Sequence, residues 1–335
     1  MAGWGRLCGE RMGCPLGKQA SNGRMGRMND SGGVGATATA AAAAEETQGR
    51  GWSPRILGTL CVIASAVGFG ALGIFGKTAY LSGASTVTVL FLRFLLAGAL
   101  MTALMAALKL PWPRGRDLAV LIALGALGYV GQSFCYFSAL RHATAGLTAL
   151  LLYLYPALVT LASAALGRQR LTWSKAALAG LSLLGILLTV AGDLGGSAAG
   201  LGFGVGSAVI YTGYILVGEG VIPRVGAIAA STVVMLAAAA VYACAVLAAG
   251  PQWPTQVSGW LAVVGIALVA TVIPIIGFFA GMQRLGAADA ATLSTLEPVV
   301  TLLLAFVFLN ETLAPAQLLG AGAVVAAVAL LSRMG

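Results

Sequence analysis

Charged side chains are scarce in this sequence. Only 9% of its 335 residues are Asp, Glu, Lys or Arg, whereas soluble proteins average about a quarter. Hydrophobic residues make up 59% of the chain, which is more apolar surface than a soluble domain of this size buries. One uncharged run extends from Val225 to Gln283 and is long enough for two helical membrane spans. The chain is therefore expected to lie in a lipid bilayer.

Other scarcities exclude whole classes of protein. The chain has one histidine, His142, and its five cysteines lack metal-ligand spacing. No catalytic residue, metal or cofactor is therefore expected. An outer-membrane barrel would alternate apolar and polar residues along roughly ten-residue strands, and no such alternation occurs. The net charge is +9, but seven of the nineteen basic residues lie in the first 55 and the others cluster beside apolar segments, a pattern that indicates topology and not nucleic-acid binding.

Ten apolar segments follow one another with short, Gly- and Pro-containing turns between them. They predict an all-α integral membrane protein with ten transmembrane helices. The segments are 57–76, 86–108, 118–139, 144–166, 174–192, 200–218, 227–249, 258–281, 288–309 and 314–332.

Residues 1–52 differ from the rest of the chain. They are rich in Gly, Ala, Ser and Arg, and this composition predicts a disordered cytoplasmic tail. Their Ala/Thr tract is too weakly hydrophobic for a typical signal peptide, and Met25 and Met28 also permit a later start.

The distribution of Lys and Arg predicts the orientation. With a cytoplasmic N-terminus, nearly all basic loop residues lie inside, and Lys77 and Arg141 lie outside. Cytoplasmic loops carry an excess of basic residues. Both termini are therefore expected in the cytoplasm, in a multi-pass protein of a bacterial inner (plasma) membrane.

An internal repeat relates the two halves of the chain. A shift of 142 residues aligns Tyr155-Pro156 with Glu297-Pro298 and Leu171 with Leu313. The expected domains are two five-helix repeats, 53–193 and 194–335. Because five is odd, the second repeat should lie inverted relative to the first.

Short motifs in the second half resemble the EamA family of the drug/metabolite transporter superfamily. They are Leu285-Gly286-Ala287, Leu296-Glu297-Pro298-Val299 and Asn310-Glu311-Thr312-Leu313. In the first half, Phe75 with Lys77, Arg93-Phe94 and Ala139-Leu140 carry the resemblance. Two departures are Tyr155, where the family has Glu before Pro, and Arg168-Gln169 in place of Gly-Glu.

The resemblance implies a secondary transporter, or permease, for a small metabolite. An amino-acid-like or related organic solute would cross the inner membrane, in the export direction, by alternating access around a central cavity. Its partners would be the solute and the lipid bilayer, with proton coupling as an option and no nucleic acid. A monomer and a homodimer both fit.

Four ionisable residues lie within or at the ends of apolar segments, where charge is costly. Glu297 is too deep to reach water, so it is either a neutral hydrogen-bonded acid or faces a wet cavity, and we favour the cavity. Arg93 can anchor its helix, pair with a carboxylate or hold an anionic substrate. Lys77 and Glu219, at segment ends, are snorkelling residues or gates.

Prolines and polar side chains complete the predicted site. Pro156, Pro274 and Pro298 each remove a helical hydrogen bond, so they either kink their helices or open breaks that line the cavity. The expected cavity residues, besides Glu297, are Gln132, Tyr136, Tyr155, Tyr211 and Tyr214.

Two other classes of function stay open on these residues. A channel or a lipid scramblase could also use ten helices and one buried carboxylate. An intramembrane enzyme is disfavoured because no nucleophile with a base and no set of metal ligands recurs.

The topology is testable by cysteine labelling in a variant without the five native cysteines. Cysteine replacing Gly115 should react only from the cytoplasmic side, and cysteine replacing Gly196 only from the periplasmic side. The measurement is labelling by a membrane-impermeant maleimide in intact and opened cells, and the reverse pattern would contradict the orientation.

Overall fold

The computed structural model describes residues 53–168, 170–191, 196–285, 290, 293–311 and 314–333. The regular secondary structure of these residues is entirely helical. The α-helices are α1 (Pro54–Gly70), α2 (Leu72–Leu81), α3 (Thr86–Ala107), α4 (Gly115–Ala123), α5 (Val130–His142), α6 (Ala145–Leu152), α7 (Tyr155–Ala165), α8 (Trp173–Ala191), α9 (Ala198–Gly218), α10 (Ile222–Val225), α11 (Ala227–Ala249), α12 (Val257–Ala267), α13 (Ile273–Leu285), α14 (Leu296–Leu309) and α15 (Pro315–Arg333). Two π-helices join them, πA (Leu124–Tyr129) between α4 and α5, and πB (Leu268–Val272) between α12 and α13.

Seven continuous or nearly continuous helical segments are long and apolar enough to cross a membrane. They are Pro54–Leu81, Thr86–Ala107, Gly115–His142, Ala145–Ala165, Ala198–Gly218, Ala227–Ala249 and Val257–Leu285. In the other three apolar helices, α8, α14 and α15, the described apolar stretch is shorter: Trp173–Leu188, Leu296–Leu309 and Leu318–Leu330. Seven of the ten predicted segments thus contain a helix of full crossing length, and three contain a shorter apolar stretch.

Large apolar side chains on the outer surface fit a lipid environment. Leu187, Leu303 and Leu319 are 63%, 60% and 72% exposed. In water such exposure would cost about 25 cal/mol for each Å² of apolar area. In a bilayer it costs nothing, because lipid chains are as apolar as leucine.

The helix ends follow from local capping chemistry. Ser85, Thr144 and Ser197 precede α3, α6 and α9, and each side-chain oxygen accepts a hydrogen bond from a backbone N–H of the first turn. Asn310 ends α14 with φ of 53°, the left-handed conformation that asparagine tolerates. These residues satisfy backbone groups that a helix end leaves unpaired.

The observed helix bounds repeat along the chain. The 142-residue shift carries Thr86, the start of α3, to Ile228 beside the start of α11 at Ala227, and it carries Trp173 to Pro315, where α15 starts. It likewise superposes Gly115–His142 on Val257–Leu285 to within one residue at each end.

Helix packing has the same regularity. Three helix contacts join segments that correspond under the shift: α3 with α11, α8 with α15, and α6 with α14 in the fourth and ninth segments. Two more contacts, α2 with α12 and α5 with α9, form a related pair. Replacing each of the first two helices by its counterpart segment in the other half gives the segments of the second contact. This is the pattern expected when a two-fold axis relates two halves.

The first predicted segment ends too early. We expected a boundary at Gly76, but α2 continues to Leu81, because no proline or helix-ending glycine follows until Gly83, whose φ is 86°. Lys77 therefore lies within α2, and its Nζ donates to the carbonyl of Ala143 at 2.7 Å.

Glu311 ties the second half of the chain to the first. Its Oε1 accepts from the backbone N–H of Ala145 at 2.7 Å, and its Oε2 accepts from that of Gly146 at 3.2 Å. These N–H groups open α6, where a carboxylate is favoured by unpaired donors and by the helix dipole. Lys77 and Glu311 thus hold both sides of the turn into α6.

Replacing Glu311 with alanine should destabilise the bundle. The loss of two charge-assisted bonds to a helix start is expected to cost about 1–3 kcal/mol, with Glu311→Gln intermediate. The measurement is the midpoint of thermal unfolding in detergent. Glu219→Ala is the matched control, since its pair with Arg168 is exposed and 3.7 Å long. Equal midpoints for Glu311→Ala and Glu219→Ala would contradict the bridging role.

Candidate functional site

A polar cavity of about 100 Å³ lies among helices of both halves. Six helical segments contribute to its wall: α1 with α2, α3, πA with α5, the break between α6 and α7, α9, and α14. Its lining residues are Phe69, Leu72, Arg93, Tyr129, Gln132, Ser133, Tyr136, Leu152, Tyr153, Tyr155, Tyr211 and Glu297. The volume corresponds to roughly three water molecules at about 30 Å³ each.

Five tyrosines form a continuous row along one side of the cavity, which we call the tyrosine row. Successive ring centroids lie 5.6, 5.7, 4.8 and 6.0 Å apart, within the range of favourable aromatic contacts. In order, its members are Tyr129, Tyr214, Tyr211, Tyr155 and Tyr153. The row comes from πA, α9 and the break between α6 and α7, and a charged residue lies at each end.

Arg93 lies at the Tyr129 end. Its side chain comes from α3 and is 4% exposed, its Nε donates to Thr271 Oγ1 at 3.1 Å, and a terminal nitrogen donates to the Tyr129 hydroxyl at 3.5 Å. The guanidinium carbon lies 5.1 Å from the ring centre of Phe94. Among the described carboxylates, none lies within 4 Å of this guanidinium.

The two π-helices position the partners of Arg93. Tyr129 is the last residue of πA, and Thr271 lies in πB. Pro274 has no N–H to continue an ordinary helical ladder after πB, and the Thr271 hydroxyl donates to Ile266 five residues earlier, at 2.8 Å. π-Helices are rare and occur frequently at functional sites.

Glu297 lies at the Tyr153 end of the row, in the first turn of α14. The Tyr153 hydroxyl is 3.0 Å from Glu297 Oε2 and 2.9 Å from the carbonyl oxygen of Ser294. Pro298 cannot donate a helical bond to the Ser294 carbonyl, so this oxygen is free to accept from a side chain. Pro298 thus acts at a break beside the cavity.

The fourth segment is broken at the corresponding place. α6 ends at Leu152, and α7 begins at Tyr155 with Pro156 in its first turn. The break turns Tyr153 and Tyr155 towards the cavity. Because Pro156 and Pro298 correspond under the repeat, the two halves interrupt their helices at corresponding positions of the sequence.

Gln132 and Tyr136 lie on the wall formed by α5. Gln132 Nε2 donates to Ser207 Oγ of α9 at 3.2 Å, which joins α5 to the helix that carries Tyr211. Tyr136 is 4% exposed and packs beside Phe137 with ring centroids 5.8 Å apart. Of the six residues predicted for the cavity, five therefore line it, and Tyr214 lies behind them in the tyrosine row.

Two of the predicted intramembrane charges lie elsewhere. Glu219 follows α9 and faces Arg168 on the surface. Lys77 borders a second, open cavity of about 350 Å³ with Tyr80, Arg141 and Glu311. Neither residue lines the central cavity.

Sequence reasoning missed the hydrogen bonds of Tyr153 and the bridging contacts of Glu311. Under the repeat Tyr153 corresponds to Thr295, the turn residue before α14, so the paired helix breaks were the available signal. The partner of Glu311 could not be found from the sequence, because it is a backbone segment 166 residues away. No group of three or more His, Cys, Asp or Glu side chains forms a metal site among the described residues.

Comparison with known proteins identifies the family. The model of the EamA-like transporter family matches residues 56–191 and 198–333, so this chain belongs to that family, as its motifs predicted. With its apolar helices, it is a multi-pass membrane protein of a transporter family.

Two curated relatives and one solved structure are similar over most of their length. The uncharacterized transporter YcbK of Bacillus subtilis (strain 168) is 29% identical over 80% of this chain and 90% of its own. The aromatic amino acid exporter YddG of Ancylobacter novellus is 31% identical over 60% of this chain and 69% of its own. A crystal structure with 27% identity covers 84% of this chain and 99% of its own, with a TM-score of 0.59.

Proposed function

We propose that this protein is a secondary transporter that exports a zwitterionic amino acid with an aromatic or large apolar side chain. One observation carries the proposal: a single cavity beside the tyrosine row is lined by both a buried guanidinium, Arg93, and a carboxylate, Glu297. A zwitterion has the complementary pair of charges.

Arg93 is the expected partner of the ligand carboxylate. A guanidinium binds a carboxylate through two parallel N–H donors, and only one donor of Arg93 is directed to Thr271. Burying a cation without an anion is costly. A ligand carboxylate would supply the missing charge.

Glu297 is the expected partner of the ligand ammonium group. It is the acidic residue of the cavity lining, and Tyr153 is its described hydrogen-bond donor. The tyrosine row along the cavity offers ring faces to an aromatic side chain. The relative YddG, named an aromatic amino acid exporter, agrees with this ligand class.

Alternating access is the mechanism that the fold favours. Helices of both halves line the cavity, so a relative movement of the halves would open and close access to it. We propose that residues 53–193 and 194–335 form two inverted five-helix repeats with ten crossings in all, and that they rock about the cavity. The two-fold regularity of helix bounds and helix pairs supports this arrangement.

Location and coupling complete the proposal. The protein is placed in a bacterial inner membrane with both termini in the cytoplasm, on the distribution of Lys and Arg. A proton entering from outside would neutralise Glu297 and favour release of the ammonium group. Proton coupling therefore accompanies the proposed export.

Binding of three related ligands tests the charge pattern. L-Phenylalanine has both charges, 2-phenylethylamine lacks the carboxylate and 3-phenylpropionate lacks the ammonium group. We expect phenylalanine to bind at least about 30-fold more tightly than either analogue, equivalent to roughly 2 kcal/mol for each buried charge pair. Equilibrium binding to the purified protein measures this.

Reconstituted liposomes then distinguish a carrier from a channel. Labelled phenylalanine should accumulate by counterflow and saturate. A rate that rises linearly with concentration, or equal binding of the three ligands, would overturn the proposal.

Neutral variants of Glu297 and Arg93 should each remove one part of the preference for L-phenylalanine over its two singly charged analogues. Glu297→Gln should bind phenylalanine about as weakly as 3-phenylpropionate, because the partner of the ammonium group is gone. Arg93→Gln should bind phenylalanine about as weakly as 2-phenylethylamine. Glu219→Gln, which removes an exposed carboxylate outside the cavity, is the control and should keep the full preference. Unchanged transport rate and pH dependence in Glu297→Gln would exclude an acidic binding or coupling residue.

A further inference from the structure

The Tyr153 hydroxyl has two acceptors and one proton. Ser294 O and Glu297 Oε2 lie at 2.9 and 3.0 Å from it, and a phenol donates only one strong hydrogen bond at a time. Tyr153 is 3% exposed, so bulk solvent does not reach this hydroxyl. The hydroxyl can therefore donate fully to either acceptor by rotating about its C–O bond.

Pro298 makes the second acceptor available. In an uninterrupted helix the N–H of residue 298 would donate to the Ser294 carbonyl, and proline has no N–H. A carbonyl left without a donor at membrane depth costs several kcal/mol. Pro298 thus directly follows Glu297 in the sequence. It also frees the Ser294 carbonyl, the second acceptor of Tyr153, one helical turn earlier.

We propose that Tyr153 is a two-position switch that sets the affinity of the cavity for ligands with an ammonium group. The hydroxyl donates to Glu297 when the cavity is empty, and it donates to the Ser294 carbonyl when a ligand ammonium group binds Glu297. The inference rests on the proposed function, since it assigns the ammonium group to Glu297. Tyr153 is a positioning residue, because it acts on the ligand through Glu297.

The energies of the two positions explain why such a switch is useful. A hydrogen bond to a carboxylate is about twice as strong as a neutral one, so the empty cavity keeps its acid satisfied. The arriving ammonium group replaces this bond, and the hydroxyl moves to the carbonyl with no buried polar group left unpaired. No covalent bond changes, and the proton stays on the tyrosine oxygen.

Competition by Tyr153 lowers the affinity for the ammonium group. A carrier that binds its ligand too tightly releases it slowly, because strong binding of the ground state raises the barrier to the next step. Among the described contacts of Glu297, the side chain that donates a hydrogen bond to its carboxylate is Tyr153. Arg93, the cation of the cavity, is therefore not the group that competes with the ligand ammonium group for Glu297. The switch therefore favours turnover over affinity.

Removing the hydroxyl should tighten binding. Tyr153→Phe is expected to bind L-phenylalanine and 2-phenylethylamine about five- to tenfold more tightly than the wild type. The affinity for 3-phenylpropionate, which has no ammonium group, should stay within about twofold. Phenylalanine counterflow should become slower despite the tighter binding. A merely structural role for Tyr153 would weaken all three ligands together.

Restoring a backbone N–H at position 298 should weaken the binding of ligands that have an ammonium group. In Pro298→Ala the new N–H competes for the Ser294 carbonyl, so Tyr153 loses part of its alternative acceptor. Binding of the two ammonium ligands should weaken by about two- to fivefold, again with 3-phenylpropionate unchanged. This variant tests the switch even if Tyr153→Phe does not fold.

Tyr80→Phe is the matched control. Its hydroxyl donates to the Phe137 carbonyl at 2.7 Å, and neither residue lines the central cavity, so the variant removes the same atom from the same type of bond. The relative affinities for the three ligands should equal those of the wild type.

The outcomes separate the switch from the proposed function. If the wild type transports phenylalanine but Tyr153→Phe changes all three affinities equally, the switch fails alone. If phenylalanine is not transported but 2-phenylethylamine binds more tightly to Tyr153→Phe, the proposed function fails alone. If neither ammonium ligand binds the wild type, both are overturned.

Discussion

The satisfaction of backbone hydrogen bonds in a medium without water is the constraint on which this structure depends. A membrane span normally pairs every N–H and C=O within its own helix, and such a helix offers a ligand only side chains. This protein interrupts that ladder at four places around one cavity: at πA, at πB, before Pro156 and before Pro298. Irregular backbone is tolerated there because side chains of neighbouring helices take up the freed groups. The cavity is thus a consequence of the breaks, and the breaks are stable because the cavity is lined with donors and acceptors.

Three of these four places have a defined polar contact. The Tyr153 hydroxyl lies 2.9 Å from the carbonyl that Pro298 frees, Thr271 accepts from Arg93 at πB, and the hydroxyl of Tyr129 at the end of πA accepts from the same guanidinium. One cation of the first half therefore contacts a π-helix from each half. This cross-linking explains why a charged side chain that is only 4% exposed is compatible with a stable bundle before any ligand binds.

Much of this arrangement follows from the sequence, and what does not has a physical reason. Hydropathy predicts the positions of the apolar helices, because length and apolarity are what the bilayer selects. Repeated prolines predict the paired breaks, because proline always removes an N–H. The continuation of α2 past Gly76 was missed, since a glycine within a packed membrane helix does not end it. The contacts of Tyr153 and Glu311 are with backbone atoms of distant residues, which side-chain patterns do not reveal.

The two halves share a scaffold but differ in charge, and this difference is itself informative. Under the repeat Glu297 corresponds to Tyr155, so the cavity has one carboxylate, from the second half, while its cation comes from α3 of the first half. A site with an acid from each half would suit a ligand with two positive groups, or a pair of protons. A site with one cation and one acid suits a ligand whose opposite charges lie on neighbouring atoms. In the proposed function, Tyr155 at the place of a second glutamate leaves a single carboxylate for the ligand ammonium group, and it adds a ring to the tyrosine row at the same position.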